Sequence, residues 1–287
     1  VSIEAPSATE IHRDFGVALT SMEPGPRGFV SDCWIADGRW FVKVWPNSSD
    51  TVDLGLLDRL AEAGLPVPRP LRSEPVVTDK GNRYAVFPYV RGRHADASDW
   101  RTVARMLRRV HDMPTDGLGL RELVVSDEPL VDLRPRLNHP WVADRADELV
   151  TWLDRFEEVL HRASSRTVPL VLSHDDFGGG NMLLDGDGHV VALLDWDDAG
   201  LGPREHDLWL VIDEDHPREF LDAYGVADVE LDSVHLEYGL LRRALGDLAA
   251  RVVDGVDQPG VTTWGFDRLA RVDATLALFG QISEASE

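Results

Sequence analysis

His174, Asp176 and Asn181 stand in one short run, Ser173-His174-Asp175-Asp176-Phe177-Gly178-Gly179-Gly180-Asn181. Asp195 follows at the end of the apolar segment Val190-Val191-Ala192-Leu193-Leu194. In-line phosphoryl transfer asks for little covalent work from a protein. It needs an acceptor hydroxyl aimed, its proton accepted and the charge on the phosphate neutralised. Asp176 suits the first two tasks. Asn181 offers a neutral amide oxygen and Asp195 an anionic one, the hard ligands that Mg²⁺ takes alongside phosphate and water oxygens. The pattern implies transfer from Mg²⁺-bound ATP, with GTP as the other candidate donor.

These residues must be carried by elements that hold them together. Met182-Leu183-Leu184 and Val190 to Leu194 are short apolar runs flanking Asp185-Gly186-Asp187-Gly188, a strong hairpin signal. The hairpin returns Asn181 and Asp195 to the same end of a two-stranded ribbon. Asp176-Phe177-Gly178 spells a kinase metal motif but lies before Asn181, not at the end of a later strand, so Asp195-Trp196-Asp197 takes that role. Only Lys43 and Lys80 are lysine in a chain that otherwise uses arginine. Lys43 sits in Arg39-Trp40-Phe41-Val42-Lys43-Val44-Trp45, a strand pattern after the Asp37-Gly38 turn. A compact ammonium there suits nucleotide phosphates better than a planar guanidinium. Lys80, before Gly81-Asn82, reads as a solvated turn residue.

With those residues in place, segment 170–211 resembles the aminoglycoside phosphotransferase family, in which the loop reads H-G-D-x-H-x-x-N. This chain has Asp175 where glycine is usual and Gly178 where the second histidine is usual. Asp195-Trp196-Asp197-Asp198 through Pro203-Arg204-Glu205-His206-Asp207-Leu208 is most similar to the spectinomycin phosphotransferase branch. The resemblance is strong in the C-terminal half and loose before residue 40. It implies an α+β, bilobal, protein-kinase-like fold. A small β-rich N-lobe would span 1–90 and end in a hinge at 87–91. A larger, mainly helical C-lobe would span 92–287 and hold the catalytic loop and the acceptor site.

The same resemblance assigns roles. Asp176 is the expected catalytic residue, and Asn181 and Asp195 are the expected metal ligands. Lys43, Gly28 in the loop Met22 to Val30, and hinge residues Phe87, Tyr89 and Val90 are expected at the nucleotide. A helix acid should hold Lys43; Asp53 aligns best, with Asp58 and Glu62 as alternatives. His174 and Asp207 are expected to support the catalytic loop. Asp197, Asp198 and Glu205 are candidates for the acceptor side, and Asp213, Glu214 and Asp215 form a further acidic group.

Composition bounds the partners. The 287 residues carry 51 Asp plus Glu against 29 Lys plus Arg, a formal net charge of −22. Such a surface repels nucleic acid and anionic membrane and favours a cationic small-molecule acceptor. No apolar run reaches the roughly 18 residues of a membrane helix, and no leader pattern is visible, so a cytoplasmic protein is expected. The single cysteine, Cys33, excludes an internal disulfide and reads as a small core residue on a strand. A monomer and a homodimer are equally compatible with the sequence.

Periodicity places helices over 52–63, 98–112, 144–162, 217–224, 231–253 and 266–282, with an irregular, proline-bearing stretch at 113–143 and His111 in the core. The leading expectation is O-phosphorylation of an aminoglycoside or aminocyclitol, conferring antibiotic resistance. The alternatives are a choline, homoserine or thiosugar kinase, a kinase of nucleoside or peptide antibiotics, and a catalytically dead kinase fold used as a binding module. The last should lack Lys43, Asp176, Asn181 or Asp195, and all four are present.

Overall fold

The computed structural model describes residues 3–26, 31–46, 53–253, 255 and 261–286. Contacts divide the chain into two compact units. The first comprises residues 1–95, 116–119 and 179–197, and the second residues 96–115, 120–178 and 198–287. The hairpin expected with segment 92–287 clusters with the first unit, because its strand pairs with residues 93–94 and Leu193 N–H donates to Pro66 O at 2.6 Å.

The first unit opens with helix α1 (Ala8–Phe15), started by a reciprocal capping box between Ser7 and Glu10. Strands β1 (Met22–Pro24), β2 (Asp32–Ala36) and β3 (Trp40–Trp45) follow, then α2 (Leu54–Glu62), β4 (Val76–Val77) and β5 (Arg83–Pro88). They form an antiparallel sheet in the order β1-β2-β3-β5-β4. The β2–β3 turn puts both Asp37 (φ 52°) and Gly38 (φ 60°) in the left-handed region, the conformation of a type I′ turn, and Arg39 N–H closes it by donating to Ala36 O at 3.0 Å.

Strand alternation then decides which side chains face which helix. Val42, Val44, Tyr84 and Val86 pack with Ile11 of α1 on one face. Phe41, Trp45, Ala85 and Phe87 pack with Leu54 and Leu57 of α2 on the other. Lys43 has the parity of the second face, opposite the small side chain of Ala85. The unit is completed by β6 (Arg93–His94), β8 (Met182–Leu184) and β9 (Val190–Leu193), in the order β6-β8-β9. Asp185 Oδ1 accepts from the Asp187 and His189 amides at 2.9 Å each, which closes the turn between β8 and β9.

The second unit is mainly helical: α3 (Trp100–His111), α4 (Glu128–Leu133), α5 (Ala146–Ser164), α6 (Arg204–Asp207), α7 (Pro217–Tyr224), α8 (Ser233–Val253) and α9 (Val261–Ser286). A two-stranded antiparallel ribbon of β7 (Leu170–Ser173) and β10 (Gly200–Pro203) brackets the catalytic run. Three helix limits differ from expectation. The helix expected from residue 98 begins at Trp100: the Asp96 side chain accepts from Ser98 N–H, and a 3₁₀ turn at Ala97–Asp99 leads into α3. The stretch 113–143 contains α4, with Pro129 in the first turn where a missing N–H costs nothing. Helix α9 extends beyond 266–282 at both ends.

The three consecutive glycines of the catalytic run are not equivalent. A Cβ on Gly179 would lie 2.7 Å from the Ala95 carbonyl oxygen, whereas Gly178 and Gly180 have nothing within 4 Å. Gly179→Ala should therefore destabilise the protein by about 1–3 kcal/mol, as overpacking does. Gly178→Ala and Gly180→Ala should melt close to the unaltered protein. Equal melting temperatures for all three would remove the close approach at Gly179.

Candidate active site

In the first unit, a cavity of about 350 Å³ is lined by Lys43, Phe87, Tyr89, Val90, Asn181 and Asp195, among others. Lys43 Nζ donates to Asp195 Oδ1 at 2.6 Å and to Asp197 Oδ2 at 2.8 Å. Trp45 Nε1 donates to the same Asp197 oxygen at 2.8 Å. Burial works against the Lys43 charge, but Asp197 and Asp195 outweigh it and hold the ammonium above the ordinary lysine range. Leu194 N–H donates to the Asn181 carbonyl at 2.8 Å, which keeps Asn181 beside the strand end that carries Asp195. Asp195 itself has φ 62°, a conformation that aspartate tolerates better than most residues and that recurs at functional sites.

Cys33 is on β2 as expected, half-buried and facing this cavity, and burial pushes its thiol up to about 11. Lys80 is exposed in its turn and pairs with Glu4.

In the second unit, the catalytic run hangs on one carboxylate. Asp207 is fully buried, and it accepts from the amides of His174 (2.9 Å) and Asp175 (2.8 Å) and from Ser173 Oγ (3.0 Å). His111 Nε2 donates to it at 3.1 Å, and His111 Nδ1 is hydrogen-bonded to Tyr224 Oη at 2.7 Å. Burial raises the cost of the Asp207 charge, yet the hydrogen bond from His111 and the surrounding donors outweigh it and hold the carboxyl below the usual range. The ring of His174 is buried edge-on against Phe177.

Asp175 occupies φ 65°, which explains why glycine is usual there and how aspartate replaces it. Its two carboxylate oxygens each accept from Arg242 of α8 at 2.6 Å, a bidentate pair that holds the strained residue. The next residue repeats the arrangement, since Arg243 donates to Asp176 Oδ1 at 2.6 Å.

A second, polar cavity of about 230 Å³ in this unit is lined by Arg121, Glu122, Asp175, Asp198, His206 and Arg242, among others. Burial, reinforced by the Arg242 charge, pushes His206 down to about 3, so the ring is neutral.

Three expectations change. Asp53 does not meet Lys43: it caps α2 by accepting from Leu56 N–H at 3.1 Å and pairs with Arg59 at 2.5 Å. Asp197 takes that place, its Oδ2 accepting from both Lys43 Nζ and Trp45 Nε1. The chain leaves the strand pattern at Asp195, whose φ is positive, so no strand alternation in the sequence pointed to Asp197, and the structure moves it from the acceptor side to Lys43. Glu205 is 3% exposed and accepts from Asp232 N–H at 2.7 Å, beside the first turn of α8. Its role is to satisfy that amide, not to face an acceptor, and Arg242 and Arg243 were missed altogether because arginine is so common in this chain. Gly28 lies outside the described residues.

The model of the phosphotransferase enzyme family matches residues 27–276. The chain belongs to that family. Hygromycin-B 4-O-kinase of Escherichia coli is 32% identical to this phosphotransferase-family chain over 123 residues, covering 40% of the chain and 32% of that protein. The match thus spans about a third of the relative's length.

Among solved structures, spectinomycin phosphotransferase in complex with ADP and spectinomycin superposes with a TM-score of 0.64 at 16% identity, covering 97% of this chain and 96% of that one. A thermostable aminoglycoside phosphotransferase variant in a ternary complex with AMP-PNP and hygromycin B gives 0.66 at 16% identity, covering 94% and 98%. These likenesses establish the expected α+β, protein-kinase-like fold. Among the described residues, no helix is long and apolar enough to cross a membrane.

Replacing Asp207 by asparagine presents an amide N–H₂ to donors that need an acceptor. Breaking such a buried charged network typically costs about 3–5 kcal/mol. Because the Asp207 carboxyl is held low, its stabilisation is present at neutral pH and fades only as pH falls below the ordinary carboxylate range. The melting-temperature gap between Asp207→Asn and the unaltered protein should follow that course. A gap that is constant across the acid range would place the stabilisation elsewhere.

Proposed function

We propose that this chain is a Mg²⁺- and ATP-dependent O-phosphotransferase acting on a small, cationic, hydroxyl-bearing compound of the aminoglycoside or aminocyclitol class. Such an activity would confer resistance where that compound is an antibiotic. The supporting observation is the cavity that collects Lys43, Asn181, Asp195 and the strand-end residues Phe87, Tyr89 and Val90 in one unit. An apolar slot beside a lysine and oxygen ligands is what a purine ring with a polyphosphate tail requires.

Asn181 and Asp195 would hold Mg²⁺. Their chemistry fits, since both offer hard oxygen and both line the cavity that Lys43 enters. The ion supplies charge neutralisation on the phosphates when bound. Lys43 would hold the donor phosphates, with Asp197 and Trp45 keeping its ammonium in place. Asp176 would orient the acceptor hydroxyl and take its proton, and Asp207 would keep the Asp176 loop in shape.

On the acceptor side, the polar cavity favours a cation. Asp175 neutralises Arg242 there, leaving Glu122, Asp198 and Arg121 as charged lining with a net negative balance. Asp198 is the one acceptor-side candidate from sequence that lines this cavity. With the −22 surface around it, recognition of an ammonium group is expected.

A coupled ADP-release screen over aminoglycosides, aminocyclitols, nucleoside and peptide antibiotics, choline and homoserine tests the proposal. A cationic antibiotic should be the best acceptor. A preference for choline or homoserine would move the chain to a metabolite kinase, and no ADP release from any mixture would contradict the activity.

Two substitutions test the residues. Asp176→Asn should lower turnover by about 10²–10⁴-fold with the fold intact, since an amide cannot accept the proton. Turnover within a factor of about two of the unaltered enzyme would remove Asp176 from the base role. Lys43→Arg should be nearly as damaging as Lys43→Ala, because a guanidinium is too wide for the slot between Asp195 and Asp197. Full activity of the arginine variant would contradict that geometry.

A further inference from the structure

Consecutive acids on the catalytic run meet consecutive arginines on α8: Asp175 with Arg242, and Asp176 with Arg243. We propose that Arg243 is a positioning residue for phosphoryl transfer, fixing the Asp176 carboxylate in the orientation from which it meets the acceptor hydroxyl. The inference rests on the phosphotransferase reading, which makes Asp176 the base.

The two pairs are not equivalent. Asp175 is held through both oxygens and has a backbone conformation to stabilise, so Arg242 acts on the shape of the loop. Asp176 receives Arg243 on Oδ1. Its own φ is not in the left-handed region, so no backbone strain accounts for the contact. The contact anchors one oxygen of a side chain whose task is directional.

Arg243 is itself built into place. Its guanidinium lies over the Trp209 ring at 4.1 Å from the centroid, and its Nε is 3.4 Å from Asp247 Oδ1. Asp247 also pairs with Arg268. Arg268 lies over the same Trp209 ring at 5.1 Å and holds Asp213. Arginine, acid and indole thus form a chain ending at Asp176, and every member belongs to the second unit. A guanidinium held over an indole ring and paired by charge with a second carboxylate is a firm support, of the kind that keeps a reacting group within about half an ångström of its productive position. A lysine could supply the charge but not the planar fork.

The test compares Arg243→Gln, Arg243→Lys, Asp176→Asn and the double variant Asp176→Asn/Arg243→Gln as full-length proteins. Spectinomycin and hygromycin B serve as acceptors, and Mg-ATP hydrolysis by water serves where neither reacts. Circular dichroism confirms that each variant is folded. Arg243→Gln should lower kcat by roughly 10- to 100-fold, the range of a charge-assisted hydrogen bond, while KM for ATP stays within about twofold. Arg243→Lys should recover part of the loss. In the Asp176→Asn background, Arg243→Gln should change the residual rate by less than about twofold, because the group it positions has gone.

An equal loss in both backgrounds would overturn the inference in favour of a general packing role. So would a change confined to KM. A rise in kcat would make the contact a restraint on Asp176 and would also overturn it. If the unaltered protein releases no ADP with either acceptor or with water, the phosphotransferase reading fails first and this inference falls with it.

Discussion

A single buried carboxylate sets the geometry of the run 174–176 in the second unit. Asp207 is fully buried, so its charge survives only because the Ser173, His174, Asp175 and His111 donors converge on it. Two of those donors are backbone amides of the catalytic run. The need to satisfy Asp207 therefore dictates the path of the chain just before Asp176. Asp175 is turned into the left-handed region by that path, and Arg242 offsets the consequence. The substitution of aspartate for the family's glycine is thus coupled to an arginine on α8, far away in sequence.

The cavity of the first unit is organised by a different constraint, the alternation of strand β3. Residues 42 and 44 must face α1 to fill its core, which sends Lys43 to the α2 face. Once there, its ammonium is partly buried and requires counter-charge. Asp195 and Asp197 supply it from the end of the β8–β9 hairpin, within hydrogen-bonding distance on each side. The two acids do different work. Asp195 is half exposed and lines the cavity, while Asp197 is also tied to Trp45 and is shaped to hold the lysine.

The catalytic run, the hairpin and the isolated lysine were legible in sequence because each is a local pattern with a physical cause: loop spacing, a Gly-rich turn between apolar runs, and one strand lysine in a chain that otherwise uses arginine. Six of the described helices were legible to within about five residues because their apolar faces recur at helical spacing, whereas α1, α4 and α6 were not anticipated, the last two being too short to show that spacing. The partners were not. Asp53 looked right by position on α2, but a residue that caps its helix has its carboxylate committed to the first-turn amides. Glu205 looked like a free acid beside an acidic motif, whereas Asp232 N–H needed a buried acceptor. Arg242 and Arg243 lie 67 residues from their partners, and no local pattern distinguishes them from their neighbours on α8.

In the proposed reaction the γ-phosphoryl group passes from ATP to a hydroxyl oxygen oriented by Asp176. Phosphorus-31 NMR of a reaction with Mg-ATP and the best acceptor from the screen reads this directly. The expected spectrum gains one phosphomonoester resonance on the acceptor for every ADP formed. ADP accompanied only by inorganic phosphate, or by a phosphoramidate on an acceptor amine, would contradict it.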